Sequence, residues 1–477
     1  MSEAQSDTTD SAVVMLRGRL HPSVIALWTL QAFAPLAALW IASSAEQAIA
    51  LVAVTLTIIG SWVRWTRFRW RVEAEQLIIE HGLFQHTRRV IPIERIQAVQ
   101  TVRKIRHRVF GVVGLRIETV GGNETEGQLD ALPPATATQV QRLLLREAQT
   151  DLTPSGTVLA RCSPRMLLVA GLTGGRVGVA AALLAFVQEF AGGRVADAVV
   201  SAPERFGLTV LVILVLLGIV AAFALSVLAT AVTYWDFTVM RDGDLIRLHR
   251  GVLDERRDTV PLTRVQALTV EENLVRRVLG LAAVKMVVAG RAGEDEAVTS
   301  TLLPIASREQ AFALAGGVLS VDAPDRITLR AMPPEARARR LTRAAIAAIV
   351  VTTATLIALD WPLGLWGLVS AAVAVPAALG AYRALGWHRD AHVVLARAGW
   401  LVRRTSITPV HAPQSLRVAS SPFQRRRGLA TLRIEIARTT RARDPRLIDL
   451  RQHDADNLQL ALADEATARL RTPSRAT

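Results

Sequence analysis

Cysteine is almost missing from this chain of 477 residues. The single Cys162 excludes an intramolecular disulfide framework and a four-cysteine metal centre, and it fits a reducing compartment. Lysine is nearly as scarce: Lys104 and Lys285 are the two in the sequence, so arginine supplies almost all of a formal charge of +15. Charge of this sign favours nucleic acid or the acidic face of a membrane. Genomic base composition would also produce an arginine bias. No serine-elbow motif, paired-histidine zinc helix or phosphate loop with its lysine occurs. These absences predict a protein without catalysis, cofactor or metal. His81, His86 and His107 have no counterparts elsewhere and read as surface histidines. Cys162 lacks an evident base partner and reads as inert, and Asp454 and Asp456 suit helix capping better than calcium.

What the chain does have is apolar length. It is 51% hydrophobic, with a mean hydropathy of +0.30. That is too apolar for an ordinary soluble protein, yet 20% of the residues are charged, so soluble parts are expected as well. A bilayer needs about 20 mostly apolar residues per helix. Val24–Ser44 with Ala48–Val63, Met166–Val187 with Gly207–Ala231, and Ala344–Leu359 with Leu363–Tyr382 predict six spans in three hairpins. Arg64, Arg67, Arg69 and Arg71 flank the first hairpin, Arg161 and Arg165 the second, and Arg337, Arg339, Arg340, Arg343, Arg383 and Arg389 the third. The positive-inside bias then puts both termini and the intervening regions in the cytoplasm. Residues 1–13 are polar and acidic, which predicts disorder. The first apolar run starts late and is followed at once by another, and reads as a permanent anchor.

Between and after the hairpins one pattern is written three times at constant spacing. Gly82, Pro92, Gln97 and Gly111 recur as Gly251, Pro261, Gln266 and Gly280, and again as Gly399, Pro409, Gln414 and Gly428. Each copy has strand periodicity, then a short basic-apolar run (Ile105–Phe110, Leu274–Leu279, Phe423–Arg427) before the last glycine. A one- to two-turn helix closed by a left-handed glycine explains that spacing. The prolines belong at an edge, a strand start or a bulge. Pro134–Ala148, Ser307–Leu319 and Asp454–Arg471 follow with helical spacing. The fold class is therefore a mixed membrane protein: three hairpins (24–63, 166–235, 344–382) alternating with three small antiparallel barrels or two-sheet domains (68–149, 236–320, 386–472), each capped by a C-terminal helix. Linkers are expected at Thr150–Gly156 and Val321–Pro334.

The Pro92–Gln97 and Pro261–Gln266 segments, each followed by Arg-Val-Phe/Leu-Gly, resemble bacterial pleckstrin-homology-like (PH-like) domains of the membrane-anchored YdbS/YdbT type, formerly a domain of unknown function. The resemblance covers most of the chain and implies a two-sheet barrel capped by a helix, no catalysis, and a role at the cell envelope. The third copy lacks the arginine of Arg95 and Arg264, which predicts that deleting it costs less than deleting the second.

Basic residues recur at fixed repeat positions: Arg108, Arg277 and Arg425; Arg116, Lys285 and Arg433; and, in two copies, Arg88 and Arg257. Two readings stand, contact with anionic lipid headgroups or a protein partner, and solvated faces inherited from a common repeat. The strand turns at Glu73-Ala74-Glu75, Arg241-Asp242-Gly243-Asp244 and Arg397-Ala398-Gly399 carry acids in two of three copies, which argues against a phosphoinositide cradle. Arg176 among Gly171, Gly174, Gly175 and Gly178 is either an intramembrane functional residue or an interfacial one. Membrane lipids and another membrane protein of the same family are the expected partners; nucleic acid and a small-molecule substrate are not. The runner-up reading is a transport or export component, with Arg176, Pro35 and Pro376 lining a path.

Overall fold

The computed structural model describes residues 14–30, 44–82, 86–119, 127–145, 156–174, 204–288, 301–322, 324–358, 367–436 and 444–471. Residues 1–13, 31–43, 175–203 and 359–366, with Pro35 and Arg176 among them, lie outside that set. The chain divides into two compact units, Met1–Thr157 with Arg241–Pro261 and Gly290–Glu294, and Val158–Met240 with Leu262–Ala289 and Asp295–Thr477.

The first unit begins with β1 (Val14–Gly18), then helix α1 (Ser44–Arg67) leading into β2 (Arg69–Glu73), β3 (Gln76–His81) and β4 (Thr87–Pro92). These strands form an antiparallel sheet in the order β1-β2-β3-β4. After a single 3₁₀ turn come β5 (Ile96–Arg103), the short α2 (Ile105–Val109), β6 (Val113–Thr119), β7 (Gly127–Leu132) and α3 (Pro134–Leu145). Alternation drives the packing. Trp70, Val72, Leu77, Ile79 and Ile91 from one sheet face Val99, Leu115, Ile117 and Leu129 from the other, and Ala137, Val140 and Leu144 of α3 close the end. Each such side chain contributes about 1.5–3 kcal/mol by leaving water. This is the helix-capped two-sheet arrangement expected from the pattern.

The second sheet does not stop at the repeat boundary. Strands β8 (Thr157–Arg161) and β9 (Thr238–Asp242) lie where the two units divide, and β10 (Leu245–Arg250) and β11 (Glu255–Pro261) then return to the first unit. There β11 pairs antiparallel with β5, giving the order β7-β6-β5-β11-β10.

In the second unit the apolar helices α4 (Pro164–Thr173) and α5 (Glu204–Tyr234) run antiparallel, with Gly171 against Val227. Next come β12 (Val265–Asn273), α6 (Leu274–Val278), β13 (Leu281–Val288), β14 (Thr301–Ser307), α7 (Arg308–Leu319), and the helices α8 (Pro334–Ala358) and α9 (Gly367–Arg383). The chain finishes with β15 (Gly386–Arg389), β16 (Val393–Ala398), β17 (Val402–Pro409), β18 (Pro413–Ala419), α10 (Pro422–Arg425), β19 (Leu429–Ile436), β20 (Arg446–Arg451) and α11 (Gln452–Arg471). Again strands of two repeats share one sheet, β14-β13-β12-β17-β16-β15, while β18-β19-β20 stands as a separate sheet covered by α11.

The repeat residues have structural roles. Gly111, Gly280 and Gly428 close the short helices with φ of 66°, 66° and 61°, and Gly82, Gly251 and Gly399 turn between strands at positive φ. Gln97, Gln266 and Gln414 each occupy the strand position where the register shifts, so the glutamine marks a β-bulge in all three copies. Pro92, Pro261 and Pro409 end their strands instead of starting them. A proline there ends the ladder at the point where the chain leaves for the other sheet.

Several expectations need correction. The Val321–Pro334 linker carries a sheet residue: Arg330 bridges Trp387, as β1 pairs β2 in the first repeat. The third strand turn is Asp390–His392, not Arg397–Gly399, and its Asp390 accepts bonds from the His392 and Val393 amides. All three turns are thus acidic. Asp454 and Asp456 lie inside α11, which begins at Gln452; Asp454 in the first turn complements the helix dipole, and Asp456 accepts from the Gln452 side chain at 3.1 Å. His107 is buried, its Nε2 3.1 Å from the Asp130 carbonyl, because α2 turns it inward.

Two described helices are long and apolar enough to cross a bilayer, Leu216–Tyr234 of α5 and Pro334–Ala358, and α4 and α9 are shorter apolar helices, α9 containing Pro376.

Candidate membrane-facing site

Each short helix presents an apolar tip beside basic residues. In the first repeat Ile105, Val109 and Phe110 are exposed next to Arg106 and Arg108. In the second, Leu274, Val275, Val278 and Leu279 are exposed, Val278 at 87%, next to Arg276 and Arg277. In the third, Phe423 is 60% exposed beside Arg425, Arg426 and Arg427. Water-exposed side chains of this size cost free energy unless something apolar covers them. The helices are held rigidly. Ser421 and Gln424 form a capping box on α10, and the Asn273 side chain caps α6 by accepting from the Arg276 amide at 2.8 Å.

Two tips in the second unit touch helices of membrane character. Arg276 Nε donates to Thr173 Oγ1 at 3.0 Å, and Asn273 Nδ2 donates to the Thr173 carbonyl at the end of α4. Arg427 Nη2 donates to Thr342 Oγ1 of α8 at 3.0 Å. Thr342 precedes Arg343, the last charged residue before the apolar run from Ala344 to Ala358. Trp400, whose carbonyl accepts from Arg277, packs against Gly380 of α9.

Several of the basic positions singled out by recurrence pair with acids within their own unit. Arg108 lies 3.6 Å from Glu255, and Arg257 binds the same carboxylate at 2.7 Å. Burial would raise the Glu255 pKa, but hydrogen bonds and charge from Arg257 and His249 outweigh it and hold the carboxyl below its ordinary range. Lys285 pairs with Glu271 at 2.8 Å, and Arg404 joins at 2.7 Å. There too burial pushes the carboxyl up and the cations pull it below normal. Arg88 is 3.7 Å from Glu80 and mostly exposed. Arg116 faces Gln100 and Gln128 across its sheet, while Arg433 stands between Arg417 and Arg446. Of the residues marked by recurrence, Arg277 and Arg425 belong to the tips beside apolar helices; Arg108 lies on the first-repeat tip, tied to Glu255. The apolar partners were missed because single-sequence reading gives an exposed valine no mark; the signal was the mixed basic-apolar run itself.

Cys162 is buried with its thiol pushed up to about 11 by burial. Among the described residues no three His, Cys, Asp or Glu side chains cluster as a metal site. A cavity of about 320 Å³ between α7, β16 and β17 is lined by Glu272, Arg308, Arg397 and Arg403. Its polar groups are engaged with one another, Arg403 binding Glu272 at 2.8 Å through both nitrogens.

The chain matches the model of the bacterial PH domain in three segments, residues 26–148, 179–320 and 338–466. It is also 24% identical over 437 residues to the UPF0699 transmembrane protein YdbT of Bacillus subtilis (strain 168), covering 86% of this chain and 87% of that protein. No solved structure matches it. The three helix-capped, glycine-marked repeats and these matches agree: the chain belongs to the bacterial PH-domain family, with the domain present three times.

Proposed function

We propose that the protein is a non-enzymatic integral membrane scaffold of the bacterial cytoplasmic membrane. Six spans in three hairpins would hold three cytoplasmic PH-like repeats against the inner leaflet, and the repeats bind a protein partner or anionic lipid there, in a role at the cell envelope. The Arg427–Thr342 bond carries this reading. It sets the α10 tip at the level where charge ends and the apolar run of α8 begins. Helix lengths agree. The 31 residues of α5 measure about 46 Å against a hydrocarbon core of about 30 Å, so roughly 16 Å project beyond it. Gly171 packs against Ser226 and Val227, roughly 12 Å from the α5 C-terminus, and Thr173 follows it by two residues, so the α6 tip bonded to Thr173 would sit close to that same boundary. The apolar tips then enter the interface and the flanking arginines meet headgroups, each worth about 1 kcal/mol near an anionic surface. Acidic strand turns in all three repeats disfavour a phosphate cradle of the phosphoinositide type.

The test is a nitroxide on Val278→Cys in full-length protein in nanodiscs, the native Cys162 being buried. Collision with oxygen should dominate over collision with a water-soluble nickel chelate, as for a lipid-immersed probe. A label relaxed mainly by the nickel reagent would refute membrane contact of the tip.

A further inference from the structure

Both junctions between repeats use the same pairing. At β5–β11, Val99, two residues after the bulge Gln97, faces Thr259, two residues before Pro261. At β12–β17, Leu268, two residues after Gln266, faces Ile407, two residues before Pro409. Opposite charges meet across the second, where Glu271 and Glu272 bind Arg404 and Arg403; at the first, Arg103 is in register with Glu255, whose carboxylate is held by Arg257 and Arg108. The junction is therefore a reusable interface between two PH-like repeats, with a fixed register and a charge code.

Two strands of the same kind are left at sheet edges. The first repeat's β4 corresponds to β11 and β17 but has no partner strand on its outer side among the described residues; the third repeat's β18 corresponds to β5 and β12 and also ends its sheet. Along β4, Arg88, Arg89 and Val90 are exposed; of the corresponding residues of β11, Arg257 is exposed too, whereas Asp258 and Thr259 are buried. A second copy fits poorly. In the shared register Leu416 would meet Val90, but Arg417 would meet Arg89 directly, and like charges opposite each other destabilise a pair. Uncovered edges recruit strands, and the side chains along them select which.

We propose that β4 docks the β5-type edge of a PH-like repeat on a different polypeptide, one carrying acidic residues where β18 has Arg417 and Val418. In sequence terms the partner strand reads Gln-x-x-Asp/Glu ahead of its own short helix. This rests on the scaffold reading above and identifies which strand of the scaffold does the binding.

The experiment puts p-benzoylphenylalanine at Arg89 of the full chain in its native membrane, with irradiation and mass-spectrometric mapping of the attached peptide. The same probe at Leu460, on the exposed face of α11, serves as a second site. The expected adduct joins position 89 to a Gln-x-x-acidic strand of another PH-domain protein. With the probe moved to Thr87, Arg88→Glu with Arg89→Glu should lower its yield at least tenfold. An adduct to residues 415–419 of a second copy would overturn the proposal, as would one to lipid alone. A protein captured only from position 460 would overturn it while leaving the scaffold reading standing; no protein from either position would overturn it and remove the protein-partner form of the scaffold reading.

Discussion

At the level of single residues, charges that read as topology signals turn out to be structural. Arg339 and Arg340 precede the third hairpin in sequence, but they converge on the fully buried Asp449 at 2.5 and 3.3 Å, with Gln424 Nε2 donating to the same carboxylate. Asp449→Ala leaves two cations without their partner, and about 3–5 kcal/mol of stability should go with it. Asp449→Asn keeps the shape and the tolerance of φ 67°, so its loss, read by thermal unfolding in nanodiscs, isolates the charge. Glu271 makes a pH prediction. Its pKa is depressed from 4.5 by Lys285 and Arg404 against the opposing effect of burial. The unfolded chain therefore takes up the proton first, so this contribution is complete above 4.5 and lost as pH falls below it. Glu271→Gln should flatten that acid limb of the melting-temperature profile. His107 acts in the same sense at higher pH: burial and then Arg106 lower its pKa from 6.5. Protonation opposes folding, and stability should decline from pH 6.5 downward, less so in His107→Gln.

Among the elements, the short helices matter most. They are four or five residues long, far below what is stable alone in water, so their geometry comes from the closing glycine in all three and from side-chain caps in α6 and α10. At Gly280 a Cβ would meet no atom within 4 Å, yet φ is +66°. Gly280→Ala should therefore cost about 1–2 kcal/mol through backbone strain alone. If the α6 tip enters the interface, the same substitution should also change the nickel accessibility of a label at Val278, whereas Gly218→Ala in α5, equally free of neighbours, should not.

For the whole molecule, shared sheets change what a deletion means. Divergence of the third copy suggests that losing it is cheap. But β17 covers β12, and removing it strips Arg403 and Arg404 from Glu272 and Glu271, the former nearly fully buried. Deletion of residues 386–477 should destabilise the second repeat as well, visible as lost exchange protection along β12. The junction register makes a second prediction. Arg417→Glu turns the like-charge clash with Arg89 into an attractive pair, and heterologous edge pairing does not close on itself. That variant should form chains of copies by mass photometry, and adding Arg89→Glu should abolish them. An unchanged single species in Arg417→Glu would mean the edges do not follow the junction register.

How much of this was legible in the sequence differs by level. Gly82, Gly111 and their counterparts mark turns because only glycine takes positive φ without cost, a local constraint that survives in any context. The fixed Pro–Gln spacing located strand end and bulge, and apolar length located the long apolar helices, since both are properties of a continuous stretch of chain. By itself the sequence determined the threefold repeat, the kind of unit and the attachment of that unit to apolar helices. Only the tertiary structure decided which strands pair across repeats, that Glu271 and Glu272 answer arginines from another strand, and that β4 and β18 are left over. The physical reason is that pairing between strands over 100 residues apart depends on edges meeting in space, and no local pattern records which edge will be covered.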